Sequence, residues 1–378
     1  MVRREVESLP ALEALLASGK PLTGVRLQDL DLTGHEAQLL GRTDLTGLVV
    51  LGGRLSPELD AHLRAHRALV FPTDPHAPVD PYRATLYSPA ELYAGLSEHG
   101  YDATPDSRAY RWARDGSRHH DAFATLLRAI HDDSISDALD EFVDCRPLVG
   151  VMGGHALDRG RTAYAEAALA GHRLARLGVI VATGGGPGAM EAANLGAFAD
   201  DEQALESALR RLAAVPSFRP DIGAWASLAL EVRQELRTDV RADDTGARSL
   251  GIPTWFYGHE PPNVFCDGIG KYFSNAIRED GLLSRATAGV VVLEGAAGTV
   301  QEVFQALTPS YYAADDETLA LPPVVLVGQE YWTDTVPIWA AVRALGQGRA
   351  LGDALHLVDT VDEAVAVIAS SPGREAVR

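Results

Sequence analysis

Lysine is nearly absent. Of the 33 basic residues in this 378-residue sequence only Lys20 and Lys271 are lysines, so any Schiff-base mechanism has two positions to use. Cysteine is as scarce, with Cys145 and Cys266 alone and no Cys-x-x-Cys spacing. That excludes a disulfide framework and a zinc ribbon. No run approaches the ~18 apolar residues of a membrane span, and the start Met1–Ser8 lacks the apolar stretch of a signal peptide. A cytoplasmic protein with no membrane partner is expected. Positive charge is short overall: 33 Lys+Arg against 52 Asp+Glu leave a net charge of −19. Gripping a nucleic-acid backbone needs a cationic surplus, so no nucleic-acid partner is expected. A small anionic ligand in one local pocket remains allowed.

What is present is an ordinary globular composition, 46% hydrophobic and 22% charged, long enough for two or three domains. Residues 1–145 read as an accessory domain. Leu22-Thr-Gly24, Asp31-Leu-Thr-Gly34 and Asp44-Leu-Thr-Gly47 form three imperfect copies of a short repeat, too few for a solenoid. Leu48–Leu51 and Ala68–Phe71 read as strands flanking an amphipathic helix over Pro57–Arg67. Prolines 72, 75, 78 and 81 break regular structure. Ser88-Pro-Ala-Glu91 reads as a capped helix start, and helical periodicity runs from Arg118 to Val143.

Residues 146–378 repeat β-α instead. Leu148–Met152, Val179–Ala182, Ile252–Phe256, Gly289–Leu293, Pro323–Val327 and Leu355–Val358 are short apolar runs, each followed by room for a helix. Strands without polar alternation fit a parallel sheet covered on both faces. The expected fold is α/β, a doubly wound Rossmann-like sheet, with ligands at the carboxyl ends of its strands.

Two of those runs enter glycine clusters. In Val181-Ala-Thr-Gly-Gly-Gly-Pro-Gly-Ala-Met-Glu191, Gly184, Gly185, Gly186 and Gly188 precede a helical stretch. Their backbone amides can approach an anion at the positive end of that helix. This is not Gly-x-Gly-x-x-Gly on a first strand, which disfavours NAD. In Val291-Val-Leu-Glu-Gly-Ala-Ala-Gly-Thr-Val-Gln-Glu302, Gly295 and Gly298 mark the turn and Thr299 is a candidate N-cap. Glu302, three residues on, either completes a capping box or faces a ligand at the mouth of the sheet. Gly153-Gly154-His155 is a third loop after a strand, with Gly154 and His155 as candidate ligand contacts. Neither main cluster ends in Gly-Lys-Ser/Thr, which excludes a P-loop ATPase.

Gly184-Gly-Gly-Pro-Gly188 with Met190, followed about a hundred residues later by Gly295-Ala-Ala-Gly-Thr-Val-Gln-Glu302, resembles the Lonely Guy family, whose signature is Pro-Gly-Gly-x-Gly-Thr-x-x-Glu. The resemblance covers roughly residues 147–370. Members are Rossmann-like phosphoribohydrolases that release a free base and ribose 5-phosphate from nucleoside 5′-monophosphates such as AMP, without metal or cofactor, and are commonly homodimers. It implies catalytic roles for Glu302 and Arg278, the latter standing for the arginine of the family's Arg-Lys pair. Three positions depart: Glu294 replaces the motif's proline, Ala296 its second glycine, and the lysine of the pair is lost in Arg278-Glu279-Asp280.

In that chemistry the amides of Gly186, Gly188 and Gly298 and the Thr299 hydroxyl anchor phosphate. Glu302 stabilises an oxocarbenium-like ribosyl and directs water. Arg278 holds phosphate or ribose oxygens and keeps Glu302 ionised. Pro253–Asn263 offers Trp255 or Tyr257 to stack on a base, with His259, Glu260 and Asn263 reading its edge or the ribose; an ordered turn with buried aromatics is the alternative. His62 and His66, four apart, lack the partners of a metal site, and His119-His120-Asp121 reads as a solvated helix start. Lys271 is a candidate for a salt bridge or phosphate contact. A non-catalytic nucleotide or cofactor carrier or sensor is the rival reading, and a single-strand DNA binder a third.

Overall fold

The computed structural model describes residues 4–71, 73–118, 121–236, 246–256, 260–313 and 321–371. The chain forms two compact units, one of Met1–Thr85 with His119–Ala138, the other of Leu86–Arg118 with Leu139–Arg378. Among the described residues no helix is long and apolar enough to cross a membrane.

The first unit carries four short parallel strands in the order β1-β2-β3-β4: β1 Arg4–Val6, β2 Val25–Gln28, β3 Val49–Leu51 and β4 Leu69–Phe71. Only β3 and β4 are legible as apolar runs; β1 and β2 interleave Arg, Glu and Gln. The short repeat has a packing reason, because Leu22, Leu32 and Leu45 are all fully buried in one core. Asp31 caps the turn Leu32–His35, and the Asp44 carboxylate accepts the Leu22 amide at 3.0 Å. The helix Pro57–Ala65 starts at Ser56, whose hydroxyl accepts from the Leu59 amide. His62 and His66 spend ring nitrogens on the carbonyls of Arg42 and His62. His119 and His120 lie outside the described residues.

The second unit is an α/β Rossmann-like fold. Seven parallel strands run in the order β11-β10-β9-β5-β6-β7-β8, with β5 Leu148–Met152, β6 Ile180–Thr183, β7 Ser249–Gly251, β8 Gly268–Ile269, β9 Gly289–Val292, β10 Val324–Val327 and β11 Leu355–Val358. β5, β6, β9 and β10 are buried along their whole length, as strands covered by helices on both faces must be. The strand expected at Ile252–Phe256 lies earlier, at β7: Pro253 has no amide to give a ladder, and beyond it Trp255 turns inward while Phe256 is exposed. From β5 the chain steps outward through β6, β7 and β8, then returns to place β9 on the other side of β5. Strand order reverses between β5 and β9, the crevice in which such sheets hold ligands.

Candidate functional site

A cavity of about 810 Å³ opens at that reversal. Its walls are the loop Gly153–Leu157 after β5, the glycine loop after β6, the loop Leu293–Gly295 after β9, and the helices Asn275–Leu283 and Ala297–Tyr312. The Gly154 amide donates to the Glu294 carbonyl at 3.0 Å, joining two of these loops across the crevice.

The glycine loop is held from behind by a buried polar network. The Thr183 hydroxyl accepts the Gly185 amide at 2.9 Å and donates to Asn194 Oδ1 at 2.6 Å. Asn263 donates its backbone amide to the Gly185 carbonyl at 2.8 Å and its side-chain amide to Gly186 O and Asn194 Oδ1. Asn263 is fully buried and does not line the cavity, so it cannot read a base edge; it fixes the loop's shape. Gly185 and Gly188 are demanded by geometry: Gly185 has φ +69° with a Cβ position 2.6 Å from Pro253 Cδ, and Gly188 has φ +74° with one 2.5 Å from the Gly154 carbonyl. At Gly184 a Cβ would stand 2.1 Å from Arg278 Nη2, so a side chain there would displace the arginine. Gly184, Gly186 and Met190 line the cavity, whereas Gly185 and Gly188 shape the loop without lining it. The helix that follows, Ala189–Phe198, is anchored at its third residue: Glu191 takes Arg159 Nε at 2.9 Å and the Tyr164 hydroxyl at 2.8 Å.

The second motif departs from the capping-box reading. The helix begins at Ala297 with Ala296 as an N-cap that makes no side-chain bond, so Thr299 is its third residue and caps nothing. Ala296 sits at φ −90°, a conformation open to any residue, so replacing the motif's glycine costs the backbone nothing there. Ala296, Ala297, Gly298 and Thr299 line the cavity, placing an uncapped helix N-terminus, a ready anion site, against it.

One turn along the same helix, Glu302 accepts from Arg278 Nη1 at 3.2 Å instead of reaching back to the cap. Arg278 is itself fixed by donating Nε to the Ile252 carbonyl at 2.8 Å. Burial pushes the Glu302 carboxyl above its ordinary value; Arg278 opposes the rise, while Glu279 and Glu260 add to it. Glu279 is buried beside Arg278 and accepts from Asn275 at 2.6 Å and Gln301 at 2.7 Å. His155 and Glu260 both line the cavity and lie side by side, Nδ1 to Oε1 3.5 Å.

Several expected contacts fall elsewhere. Trp255 is not available to stack on a base, because it is buried and donates Nε1 to Asp106 at 2.8 Å. Lys271 makes the salt bridge, also to Asp106, at 2.7 Å, and is 1% exposed, so it touches no phosphate. Tyr101 completes the cluster by donating its hydroxyl to the same carboxylate at 2.6 Å. Tyr257 and His259 lie outside the described residues. Glu166, Glu279, Tyr331 and Asp359 line the cavity without having been singled out. The rule that ligands sit beyond strand ends would have found Tyr331 and Asp359, which follow β10 and β11.

No protein-family model and no curated protein matches the sequence. Among solved structures, the chain is similar to the molybdenum cofactor carrier protein MCP from Chlamydomonas reinhardtii, at 18% identity and a TM-score of 0.35, over 59% of this chain and 96% of that one. It is similar to TM1055, a structural-genomics target, at 18% identity and a TM-score of 0.34, over 59% and 98% of the respective chains.

Proposed function

We propose that this chain hydrolyses the N-glycosidic bond of nucleoside 5′-monophosphates, AMP among them, releasing the free base and ribose 5-phosphate. The observation that carries the reading is the Arg278–Glu302 pair one helical turn from an uncapped helix N-terminus, inside the crevice where strand order reverses. The amides of Ala297, Gly298 and Thr299 would take the phosphate. One turn, about 5.4 Å of rise, then brings Glu302 beside the ribosyl ring. There it would offset positive charge at the anomeric carbon and take a proton from the attacking water. Arg278 favours the ionised form that both tasks need and presents a planar fork to phosphate or ribose oxygens. Incubation with a panel of nucleoside monophosphates, with free base measured chromatographically, tests the proposal. Release from at least one substrate, abolished by Glu302→Ala, supports it; no release from any of them ends it.

The carrier or sensor reading is favoured by one feature of the lining. Among the described residues Arg278 is the only arginine or lysine lining the cavity, and Glu279 stands where the family pattern has lysine, so the catalytic pair of cations is incomplete while the glycine loops and helix N-terminus for binding remain. Calorimetric binding of a nucleotide without release of base would decide for it. The family resemblance extends the proposal to a homo-oligomer in the cytoplasm, with light scattering of the purified protein as the check on assembly.

A further inference from the structure

A hydrolase of this kind has a second task besides activating water. The departing base leaves with the electron pair of the glycosidic bond, and a purine anion is a poor leaving group unless a proton meets it. Glu302 cannot serve as acceptor for the water's proton and as donor to the base in one concerted step. A second proton-bearing group is required on another wall of the cavity.

We infer that His155, oriented by Glu260, is that group: the general acid that protonates the leaving base. The inference rests on the hydrolase reading and adds a catalytic residue to it. His155 follows β5 directly after Gly153 and Gly154, and its ring Nδ1 faces Glu260 Oε1 at 3.5 Å. Both side chains line the cavity, at 48% and 35% exposure, open enough to meet a ligand. Glu260 lies beside the glycine loop, its Oε2 3.5 Å from where a Cβ of Gly186 would stand. A carboxylate engaging Nδ1 leaves the Nε2 edge of the imidazole for proton transfer, the division of labour of a carboxylate–histidine dyad. The long separation matches catalytic hydrogen bonds before a ligand closes the site. Glu260 is near enough to Glu302 to help hold that carboxyl above its ordinary value, which places the dyad within electrostatic reach of the reacting centre.

The step balances. The bond from C1′ to the base nitrogen breaks and its electron pair goes to that nitrogen, which takes the proton from His155 Nε2. The water oxygen bonds to C1′ and its proton goes to Glu302. One proton exchanged through solvent returns both side chains to their starting forms.

A leaving-group comparison tests this. His155→Ala, at an exposed position, is assayed on AMP and on a ribose 5-phosphate bearing 4-nitrophenol, whose anion departs without protonation. General acid catalysis contributes about 10²–10⁴-fold. The variant is therefore expected to lose on the order of 10²-fold or more in kcat on AMP, within the range for general acids, and to turn over the nitrophenyl compound within a few-fold of the unaltered protein. Added imidazole is expected to restore part of the AMP activity. Glu260→Gln should lower kcat on AMP with little change in KM. Equal loss on both substrates, no loss on AMP, or no rescue where the nitrophenyl compound is not turned over would overturn the assignment while leaving the hydrolase reading standing. Failure of the unaltered protein to release base from any nucleotide would overturn both.

Discussion

Arg278 lies between two carboxylates, 3.2 Å from Glu302 and 4.0 Å from Glu279, with its Nε committed to the Ile252 carbonyl. It is the one guanidinium lining the described cavity, and the balance between its charge and the burial of Glu302 sets how readily that carboxylate ionises. Replacing it by methionine is expected to reduce base release by about 10²-fold or more, the scale for removing a preorganised electrostatic partner. Lysine should rescue little, since one ammonium cannot hold both Ile252 O and Glu302 in the same fork. Steady-state kinetics of the two variants check this.

Glu302 has a signed consequence for stability. Its folded-state value is raised above the ordinary 4.5 by burial, so its contribution is fully favourable below about pH 4.5 and declines as pH climbs through the raised value. Glu302→Gln removes that decline. Denaturant melts are expected to show the variant at least as stable as the unaltered protein at pH 7, with the difference shrinking toward pH 4, while base release is lost.

The glycine loops separate by what a methyl group would meet. Gly184→Ala drives a Cβ toward Arg278 Nη2, whereas at Gly298 a Cβ meets nothing within 4 Å. Gly298→Ala, inside a helix, is expected to hold or raise stability by about 0.5–1 kcal/mol. Gly184→Ala should displace Arg278 and impair turnover much more than folding. Thermal melts beside kinetics on both variants test the contrast.

The Lys271–Asp106 pair is buried on both sides, at 1% exposure each. Burial holds the Lys271 ammonium below its ordinary value, with Asp106 the main opposing influence. Asp106→Asn strands that charge and also weakens acceptance from Trp255 and Tyr101; a loss of about 3–5 kcal/mol is expected. Adding Lys271→Met should recover a substantial part. Urea unfolding of the singles and the double measures the coupling.

How much was legible follows from how each feature is encoded. β5 could be bounded to the residue because a buried parallel strand is an uninterrupted apolar run; β11 was bounded as closely although it is only half-buried and carries His356. β7 and β8, three and two residues long, leave no such run, and β1 and β2 carry charged residues within the strand. The two glycine motifs located the cavity because a strand-to-helix turn that brings backbone to a ligand needs those residues. Orientation was not encoded locally. Thr299 and Glu302 have capping-box spacing, yet the helix starts at Ala297, two residues earlier, and Arg278 from another helix claims the glutamate. Trp255 and Asn263 were chemically apt but turned inward, drawn by Asp106 and Asn194 from distant segments. Such partners are tertiary facts, invisible to spacing.

The central claim is that the Arg278–Glu302 pair serves glycosidic hydrolysis. The most direct measurement is the release of free base from AMP and related nucleoside monophosphates by the unaltered protein and by Glu302→Gln, each shown by calorimetry to bind the nucleotide. Turnover by the first and binding without turnover by the second is the predicted result. Binding without turnover by both, or equal turnover by both, would contradict it.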